Sequence, residues 1–584
     1  MSNEIHVSAG RPGFALLGAG GFRQLTLLES ELRGAGCSPT LTGTPPMLRI
    51  SLHELAAVRS SLDGWLWIMD TSVGEDVLSR ESDRTRHVLA RERIRALEAN
   101  IAVANEAVAG LVPGGLLDPH QVVAVAAASD PIVEGLCVFD EQGLGKTLVG
   151  IAGYHAMRQR GLAARALIFA PKNMVGEWKR DIERFLPGRY RISIVTGSPR
   201  QRRIAIKADA DVFIANFEAA ISDEAALRGL VRLRAGGCVL IVDESFHVKN
   251  PGARRTAAIK RLRDGARRCL VLCGTPAPNS PHDIVEQFNI ADGGITFQNV
   301  AIPEERDLAK DVIGSIIERA GVYLRRLKAD VLTELPGKTF NEILVPLAPA
   351  QQALYESTLR SYTRDLRLCS DREFEQRRLS ILGQRSALLR ICTDPAGVVP
   401  GFAELPAKRA ALDRLLADLV DARGEKVVLW TSYRRAVDDL MSRYARHNPV
   451  RIDGTVADVA ERRRAIARFQ EDEATRLFVG NPAAAGAGIT LHRSRIAIYE
   501  SLPIQAAAYF QSIDRIHRRG QTRPVQYYVL LGAGTLEVSE YRRLSDKAQR
   551  ARALLGDREP TDVTRQALLE EALAALAAVG ETVG

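Results

Sequence analysis

Long apolar runs are missing from this sequence. The longest strictly apolar run covers residues 572–579, which is eight residues, whereas a helix that spans a bilayer needs about 18 or more. Residues 1–20 also lack the basic stretch, apolar core and small-residue cleavage site of a signal peptide. We therefore expect no membrane association and a cytoplasmic location, at the nucleoid if the cell is prokaryotic.

Paired cysteines are also missing. The seven cysteines are odd in number, form no C-x-x-C pair, and mostly lie within apolar strings such as residues 269–273. We therefore expect reduced, buried thiols rather than a disulfide framework or a cysteine metal site. The sequence has no internal repeat or low-complexity tract either, which argues against solenoid and propeller folds.

Charge of one sign is only modestly in excess. The 584 residues carry 79 basic and 70 acidic side chains, a net charge of +9, which leans toward a polyanionic partner without identifying it. The most basic stretch, residues 254–268, has seven arginines and lysines against one aspartate. Two interpretations of this stretch stay open, a solvated helix face and a surface that follows phosphates.

Alternating strand and helix patterns occur twice along the chain. In each region short apolar or β-branched runs alternate with longer helical patterns, which is typical of a parallel, doubly wound sheet. The first region has predicted strands at residues 136–139, 166–170, 212–215, 239–242 and 270–273. The second region has them at residues 427–430, 477–479, 496–499 and 525–531.

The predicted fold class is α/β, with two doubly wound parallel-sheet lobes. The length itself predicts about three to five folding units. Residues 296–403 lack strand-like runs and are expected to be a mainly helical insertion or bridge. The expected domains are a small α+β accessory module at 1–110, a first lobe at 111–295, the bridge at 296–403, a second lobe at 404–555 and a C-terminal helix at 556–584.

The strongest local motif is a glycine-rich loop between an apolar strand and a helix. It consists of Gly143, Leu144, Gly145, Lys146 and Thr147. Such a loop turns backbone N–H groups toward a phosphate, while the lysine reaches the β and γ phosphates and the threonine ligates Mg²⁺. Strict spacing of this motif would place glycine at Asp140, so a chance glycine-rich turn is the alternative.

A second motif delivers two adjacent carboxylates at the end of an apolar strand. Asp243 and Glu244 follow residues 238–242, and open α/β sheets bind ligands at that edge. Asp243 is suited to hold Mg²⁺ and Glu244 to orient and deprotonate an attacking water. A helix cap is the structural alternative, but the combination with Lys146 and Thr147 favours catalysis.

Further motifs follow in order along the chain. They lie at residues 117–121, 169–173, 243–250, 272–279, 324–331, 335–338, 453–455, 485–491 and 511–521. With them, residues 116–550 resemble the Swi/Snf-type superfamily-two ATPases. Resemblance to this family implies two RecA-like lobes, the cofactors ATP and Mg²⁺, and translocation along double-stranded DNA.

The resemblance also assigns roles at the nucleotide. Gln121 is similar to the family's adenine-reading glutamine, and Gly488 lies in a motif that contacts ATP. Residues 511–521 contain Gln511, Arg515 and Arg518. Two arginines three apart lie on one face if this segment is a helix, so both are expected to reach a γ-phosphate across the cleft between the lobes as arginine fingers.

Contacts with DNA are expected from loops of both lobes. Small polar and backbone groups suit phosphate contacts, which position a protein without reading base sequence. Trp178 and Tyr433 are interpreted as packing residues rather than base-stacking platforms. The candidate DNA contacts are Lys172, Asn173, Asn216, Gly274, Thr275, Asn279, Ser432, Gly454 and Thr490.

The chain departs from the family pattern at several positions. Phe246 stands where the family often has a histidine that links the ATP and DNA states, and Asp118 replaces a usual basic residue. Thr490 and residues 504–506 place the chain among distant members, nearer the annealing-helicase group. The expected activity is an ATP-driven duplex translocase acting as a monomer, with other DNA-processing or defence proteins as further partners.

Two alternatives stay open for the function. The departures at Phe246 and Asp118 motivate a nucleotide-gated DNA clamp or scaffold with little motor activity. An ATPase that acts on RNA or RNA polymerase is the other alternative.

Overall fold

Three β-sheets organise the chain. The computed structural model of the protein describes residues 4–10, 14–35, 37–62, 64–232, 237–277, 280–298, 300–332, 334–456, 458–484, 489–553 and 565–581. One sheet is mixed and belongs to the N-terminal module, and the other two are built from parallel pairs. The predicted α/β class with two parallel-sheet lobes is confirmed.

The N-terminal module is a small α+β unit, as predicted. Its five strands are ordered β3-β4-β2-β1-β5, and alternate residues such as Ile5, Val7 and Leu17 are fully buried beneath helices. Its elements are β1 (Glu4–Ala9), β2 (Phe14–Ala19), α1 (Phe22–Gly34), β3 (Thr40–Thr42), β4 (Met47–Ser51), α2 (Leu52–Val58), β5 (Leu66–Met69), α3 (Thr71–Ala99) and α4 (Ile101–Val108).

The first lobe follows the module. Its strands are continuous apolar runs because both faces of the sheet are covered by helices. The elements are α5 (Pro119–Ala128), β6 (Gly135–Val138), α6 (Lys146–Gln159), β7 (Arg165–Phe169), α7 (Val175–Phe185), β8 (Ile192–Val195), α8 (Pro199–Lys207), β9 (Val212–Ala215), α9 (Phe217–Ser222), α10 (Glu224–Arg232), β10 (Cys238–Asp243), α11 (Arg254–Arg263), β11 (Arg268–Leu272) and α12 (Val285–Asp292).

The region between the lobes is largely helical but contains two strands. Its elements are α13 (Arg306–Ala320), β12 (Tyr323–Leu324), α14 (Lys328–Val331), β13 (Lys338–Val345), α15 (Pro349–Leu368) and α16 (Asp371–Ile391). The mainly helical character predicted for residues 296–403 is confirmed, although no strand-like run in the sequence marks β12 or β13. β13 is an edge strand in which only Val345 is fully buried, so it has no apolar run that would mark it in the sequence.

The second lobe completes the chain. Its elements are α17 (Ala407–Leu416), β14 (Val427–Trp430), α18 (Arg434–Arg443), β15 (Val450–Ile452), α19 (Val459–Glu471), β16 (Leu477–Gly480), β17 (Ile496–Tyr499), α20 (Ala506–Ile513), β18 (Val525–Gly532), α21 (Leu536–Ala553) and α22 (Arg565–Glu581). The sheet order is β12-β6-β11-β10-β7-β9-β8 in the first lobe and β13-β18-β17-β14-β16-β15 in the second. The bridging strands β12 and β13 therefore tie the middle region into both sheets.

The C-terminal helix packs on the bridge rather than standing alone. Arg385 of α16 lies 2.9 Å from carboxylate oxygens of both Glu540 in α21 and Glu571 in α22. Apolar side chains of α15, α16, α21 and α22 form one buried cluster. The exact domain boundaries stay predictions, but these contacts join the bridge to the end of the second lobe.

The other composition-based expectations can be compared with the structure. All seven cysteines are free and buried, as expected. Most of the basic stretch is engaged within the protein: Arg261 pairs with Glu224 at 2.5 Å, and the buried Arg268 donates to backbone carbonyls. No helix in the described part of the chain combines the length and apolar character needed to cross a membrane.

Candidate functional site

The phosphate loop, residues 140–147, connects β6 to α6. Gly143 and Gly145 have φ angles of 89° and 78°, in the left-handed region that favours glycine. A Cβ atom at Gly145 would lie 2.3 Å from Gln121 Nε2, so a larger residue would clash there. The glycines therefore serve both the turn and the close approach of a neighbouring side chain.

Lys146 is the first residue of α6 and is nearly buried. Its Nζ donates to the backbone oxygens of Asp140 at 2.7 Å and Glu141 at 3.3 Å. The ammonium group is thus held over the loop by carbonyl oxygens, which a phosphate can replace as acceptors. Thr147 follows on the first turn of α6 and is half-buried.

Asp140, which breaks the strict loop spacing, has a structural role. Its fully buried carboxylate accepts hydrogen bonds from Arg326 Nε at 2.7 Å and Nη2 at 2.6 Å. A bidentate arginine contact of this kind is strong and geometrically specific. It fixes the start of the loop against the bridge, which explains why a carboxylate is accommodated where the loop motif asks for glycine.

The acidic pair, Asp243 and Glu244, stands at the end of β10. Asp243 Oδ2 accepts a hydrogen bond from Trp178 Nε1 at 2.8 Å, and Oδ1 accepts one from the Glu244 backbone at 2.9 Å. Trp178 is fully buried, in agreement with the packing interpretation. Its additional role in orienting Asp243 was not predicted, because an indole donor can find its acceptor only in the folded structure.

Glu244 is held in an unusual backbone conformation and an unusual environment. Its φ is 47°, and its Oε2 is buried without a hydrogen-bond partner among the described residues. Burial raises the pKa of Glu244 to about 7, with Asp243 adding to the rise and Lys146 and Arg515 opposing it. Burial also raises the pKa of Asp243. A carboxylate with a pKa near neutrality is suited to general base catalysis.

Gln121 reaches the phosphate loop from α5. Its Oε1 accepts a hydrogen bond from the Asp118 backbone at 3.0 Å, and its Nε2 donates to Leu144 O at 3.1 Å. His120 Nε2 donates to the same oxygen at 3.0 Å. The glutamine predicted to read adenine is therefore attached to the loop predicted to bind the phosphates.

The arginine segment, residues 514–519, lies outside a helix. The expectation that Arg515 and Arg518 share a helix face was wrong, since α20 ends at Ile513 and both residues lie in the turns that follow. A backbone hydrogen bond from Leu491 N to Arg515 O, at 2.8 Å, draws the segment toward a neighbouring loop. Gln511 remains on α20 and is almost buried.

Both arginines nevertheless point the same way. Arg515 Nη1 and Arg518 Nη1 each donate to Ile489 O at 3.2 Å. Burial, followed by the charge of Arg518, lowers the pKa of Arg515 to about 10, while Glu244 of the first lobe is among the groups that raise it. Arg515 Nε is buried with no partner among the described residues, so this guanidinium has unused hydrogen-bonding capacity.

A buried ion pair joins the bridge to the second lobe beside the site. Lys328 Nζ lies 2.6 Å from Asp514 Oδ1, with the two side chains 5% and 13% exposed. The backbone N–H of Lys328 donates to Glu141 Oε2 at 2.8 Å. Lys328 therefore contacts the phosphate loop and the arginine segment at once. The motif at residues 324–331 predicted that this stretch has a function, but it did not predict Asp514 as the partner of Lys328.

The residues available for Mg²⁺ are a hydroxyl and a carboxylate. Thr147 and Asp243 supply oxygen ligands, and Mg²⁺ is usually bound by few protein oxygens with waters and phosphates completing its octahedron. No group of three or more His, Cys, Asp or Glu side chains that could form an all-protein metal site occurs among the described residues. Thr147 and Asp243 are therefore suited to a Mg²⁺ ion whose remaining ligands are waters and the phosphates of a nucleotide.

The predicted DNA contacts have different surroundings. Lys172, Asn173 and Gly454 are exposed, whereas Ser432 and Thr490 are half-buried. Asn216 caps α9, its Oδ1 accepting from Ala219 N at 3.1 Å. Asn279, together with the ATP candidate Gly488, lies outside the described residues.

Gly274 differs from the other DNA candidates. It is buried, and a Cβ atom there would lie 3.1 Å from Lys146 Nζ and 2.3 Å from Gln142 Cγ. Gly274 therefore packs against the phosphate loop, where its lack of a side chain is required. The adjacent Thr275 is only half-buried, so the segment runs from the nucleotide side of the lobe toward its surface.

Comparison with known proteins gives a consistent result. Residues 119–396 match the family described as the SNF2-related domain, and residues 407–520 match the helicase conserved C-terminal domain. The chain is 28% identical over 437 residues to "Probable chromatin-remodeling complex ATPase chain" of Oryza sativa subsp. japonica, covering 70% of this chain and 38% of the relative. It is 24% identical over 407 residues to "Uncharacterized ATP-dependent helicase" of Mycoplasma pneumoniae, covering 68% and 38%.

A solved structure also aligns with the chain. It is titled "Sulfolobus solfataricus SWI2/SNF2 ATPase core in complex with dsDNA", with 21% identity, a TM-score of 0.36, and coverage of 76% of this chain and 93% of that one. The chain spans about two fifths of the length of the first curated relatives it matches. The expected position nearer the annealing-helicase group is not tested by these relatives and stays a prediction.

Proposed function

Since the chain belongs to the SNF2-related family of helicase-like ATPases, we propose that it hydrolyses ATP and uses the cycle to move along double-stranded DNA. The observation that carries the proposal is the convergence of both lobes on one site. Lys328 bonds both to Glu141 of the phosphate loop and to Asp514, the neighbour of Arg515, and the charges of Lys146 and Arg515 both lower the pKa of Glu244.

The proposed chemistry assigns one task to each group. Lys146 exchanges its loop carbonyls for the β and γ phosphates, and Thr147 and Asp243 hold Mg²⁺, which neutralises developing charge on the phosphates. Glu244 Oε2, which has no hydrogen-bond partner within the described part of the chain, accepts the proton of the attacking water. Arg515 and Arg518 leave Ile489 O to stabilise charge on the γ-phosphate, and Gln511 supports them from α20.

Gln121 and the loop backbone complete the proposed nucleotide site. Gln121 reads adenine while it remains attached to Leu144, and Gly143 and Gly145 allow backbone N–H groups to face the phosphates. Gly488 is assigned here by resemblance alone. Occupation of this site favours one arrangement of the lobes and product release favours another, which is how a ligand drives a domain movement.

The proposed track for duplex DNA uses loops of both lobes. Contacts at its phosphates would give binding that weakens with salt and carries little sequence preference. The proposed contacts are Lys172, Asn173, Asn216, Thr275, Asn279, Ser432, Gly454 and Thr490. A monomeric state, a cytoplasmic or nucleoid location and further DNA-processing or defence partners accompany this proposal as predictions.

A clamp with little motor activity is the second candidate. It is favoured by Phe246, whose ring stacks on His247 at a centroid distance of 4.4 Å. Burial, with the charge of Arg255, lowers the pKa of His247 to about 4, so this histidine is neutral at pH 7. The family often has, in place of Phe246, a histidine that links the ATP and DNA states. Phe246 has no polar side-chain group and cannot form that link.

Steady-state ATPase assays test the proposal. Purified protein is assayed with Mg²⁺ and duplex DNA, single-stranded DNA or RNA at a fixed salt concentration. We expect the largest stimulation by duplex DNA and loss of activity in Lys146→Ala and Glu244→Gln. Lys179→Ala is the matched control, because Lys179 is a partly exposed lysine of the same lobe paired with Glu183.

Triplex displacement separates the two candidates. A motor displaces the third strand in an ATP-dependent manner, whereas a clamp binds the duplex without displacing it. Unchanged hydrolysis in either site variant would defeat the proposed chemistry, and stimulation by RNA alone would move the substrate from DNA to RNA.

A further inference from the structure

Gln287 is a fully buried side chain of α12 that bonds to two distant segments and to the preceding turn of its own helical stretch. Its Oε1 accepts a hydrogen bond from Ser245 Oγ at 2.6 Å. Its Nε2 donates to Pro276 O and, at 2.8 Å, to Asp283 O. Because both amide hydrogens are directed at carbonyl oxygens, which can only accept, the amide orientation is unambiguous and its oxygen must face the hydroxyl.

Two ends of this network lie at functionally distinct places. Ser245 directly follows Glu244, the candidate base. Pro276 belongs to the coupling segment, residues 274–277, whose Gly274 packs against Lys146 and whose Thr275 is a predicted DNA contact. Gln287 therefore forms a hydrogen-bonded path of two steps from the residue beside the base to the segment that leads toward the DNA side.

Both ends of the path carry a buried oxygen whose hydrogen bonding is incomplete. Glu244 Oε2 and Thr275 Oγ1 have no hydrogen-bond partner among the described residues. Buried polar atoms without partners are costly, so each end gains when a ligand or a rearrangement supplies a partner. A rearrangement at one end disturbs Gln287, whose three bonds must then be remade or lost together.

The aromatic residues next to Ser245 do not offer this connection. Phe246 has no polar side-chain group, and the ring of His247 stacks on Phe246 and also packs against Phe217. In the portion of the chain that the structure describes, the His247 side chain makes no hydrogen bond. Of the three residues that follow Glu244, Ser245 is therefore the one whose side chain makes a polar connection.

We propose that Gln287 is a positioning residue that couples Glu244 to the coupling segment, in place of the histidine that Phe246 replaces. The inference rests on the proposed ATPase and DNA-binding functions and names the route between them. Gln287 touches neither nucleotide nor DNA in this proposal. It transmits the position of one site to the other through Ser245 and Pro276.

ATPase rates of Gln287→Leu and Ser245→Ala, with and without duplex DNA, provide the first test. We expect stimulation by DNA to fall about tenfold in each variant, within the usual range of coupling between sites, while the rate without DNA changes less than about twofold. Because both substitutions interrupt one path, the double variant should lose no more stimulation than Gln287→Leu alone.

Asn289→Leu is the matched control on the same helix. Among the residues that the structure describes, Asn289 Nδ2 donates only to Glu286 of the same helix, at 2.9 Å, so its loss should leave the stimulation ratio unchanged. Equal losses of the two rates in Gln287→Leu, with an unchanged ratio, would reveal a purely structural role and overturn the proposal. If Gln287→Leu does not fold, Ser245→Ala decides, since it leaves both amide donor bonds intact.

Hydrogen–deuterium exchange supplies a readout that needs no DNA stimulation. In wild type, binding of Mg²⁺ and a non-hydrolysable ATP analogue should slow exchange in residues 243–249 and in the coupling segment. In Gln287→Leu, residues 243–249 should respond, and so should Gly274, which packs directly against Lys146, whereas Thr275 and Ala277 should not. A response of Thr275 and Ala277 that persists in Gln287→Leu would overturn the path even where hydrolysis works, whereas a wild type that binds no nucleotide would overturn the proposed function itself.

Discussion

The phosphate loop and the arginine segment are both in contact with Lys328 but depend on different kinds of contact. The loop is shaped by its own glycines and by the helix that begins at Lys146. The arginine segment is a non-helical turn that is held by Leu491 and by Lys328 of the bridge. The phosphate loop is therefore a local structure. The arginine segment can complete the site only when the lobes are correctly placed.

The largest effect is expected for Arg515→Ala. An arginine that reaches the γ-phosphate from a second domain contributes about 10³ to 10⁵ in turnover, so the ATPase rate should fall by about 10³ or more. Nucleotide affinity should change little, because the phosphate loop is intact.

Arg523→Ala is the control for this variant. Arg523 is a partly exposed arginine that pairs with Glu425 at 3.0 Å, and its loss should leave the rate within about twofold. A rate for Arg515→Ala that stays within tenfold of wild type would mean that the arginine segment does not serve the loop.

A smaller effect is expected for two ion pairs that reach the arginine segment, one from the bridge and one from the first lobe. Lys328→Met leaves the carboxylate of Asp514 without its buried partner, which should lower the free energy of unfolding by about 3 to 5 kcal/mol. Arg519→Met breaks the exposed pair with Asp118, where Arg519 is 66% exposed, and should cost about 1 kcal/mol or less. Chemical denaturation of both variants measures the difference. Equal losses would contradict the view that the buried contact sets the position of the arginine segment.

The smallest effect is the pH dependence of hydrolysis. Glu244 must be ionised to accept a proton, and its pKa is raised to about 7, so the rate should fall about tenfold from pH 8 to pH 6. Rates measured at saturating ATP across this range test it. A flat profile would exclude Glu244 as the titrating base.

The same shift has a consequence for stability. The folded protein holds the Glu244 proton more tightly than the unfolded chain, whose reference pKa is 4.5. The contribution of this group to the free energy of unfolding is therefore fully present below about pH 4.5 and is lost as the pH rises through about 7. The candidate site carries a carboxylate that destabilises the fold at the pH where it is active.

Much of the fold was predictable because its central strands are buried on both faces. Residues 212–215, 427–430 and 496–499 coincide with β9, β14 and β17, since uninterrupted apolar runs mark such strands. The edge strand β13 escaped prediction because exposed positions alternate with partly buried ones. The C-terminal end of α20 was misjudged because helical spacing of two arginines is also compatible with a turn.

The same division holds at the site. Lys146, Asp243 and Glu244 could be proposed from motifs whose spacing dictates a backbone shape. Trp178 as the partner of Asp243, Lys328 as the partner of Asp514, and Gln287 as the connection to Ser245 could not, because each bond joins distant parts of the chain.

By itself the sequence determined the two sheets, the glycine turn of the phosphate loop and the acidic strand end, because these depend on sterics and burial among near neighbours. Only the tertiary structure decided where Arg515 stands and which residues join the lobes. Lys328 and Asp514 are 186 residues apart. Their contact depends on how separate parts of the fold pack together, and no local sequence pattern contains that information.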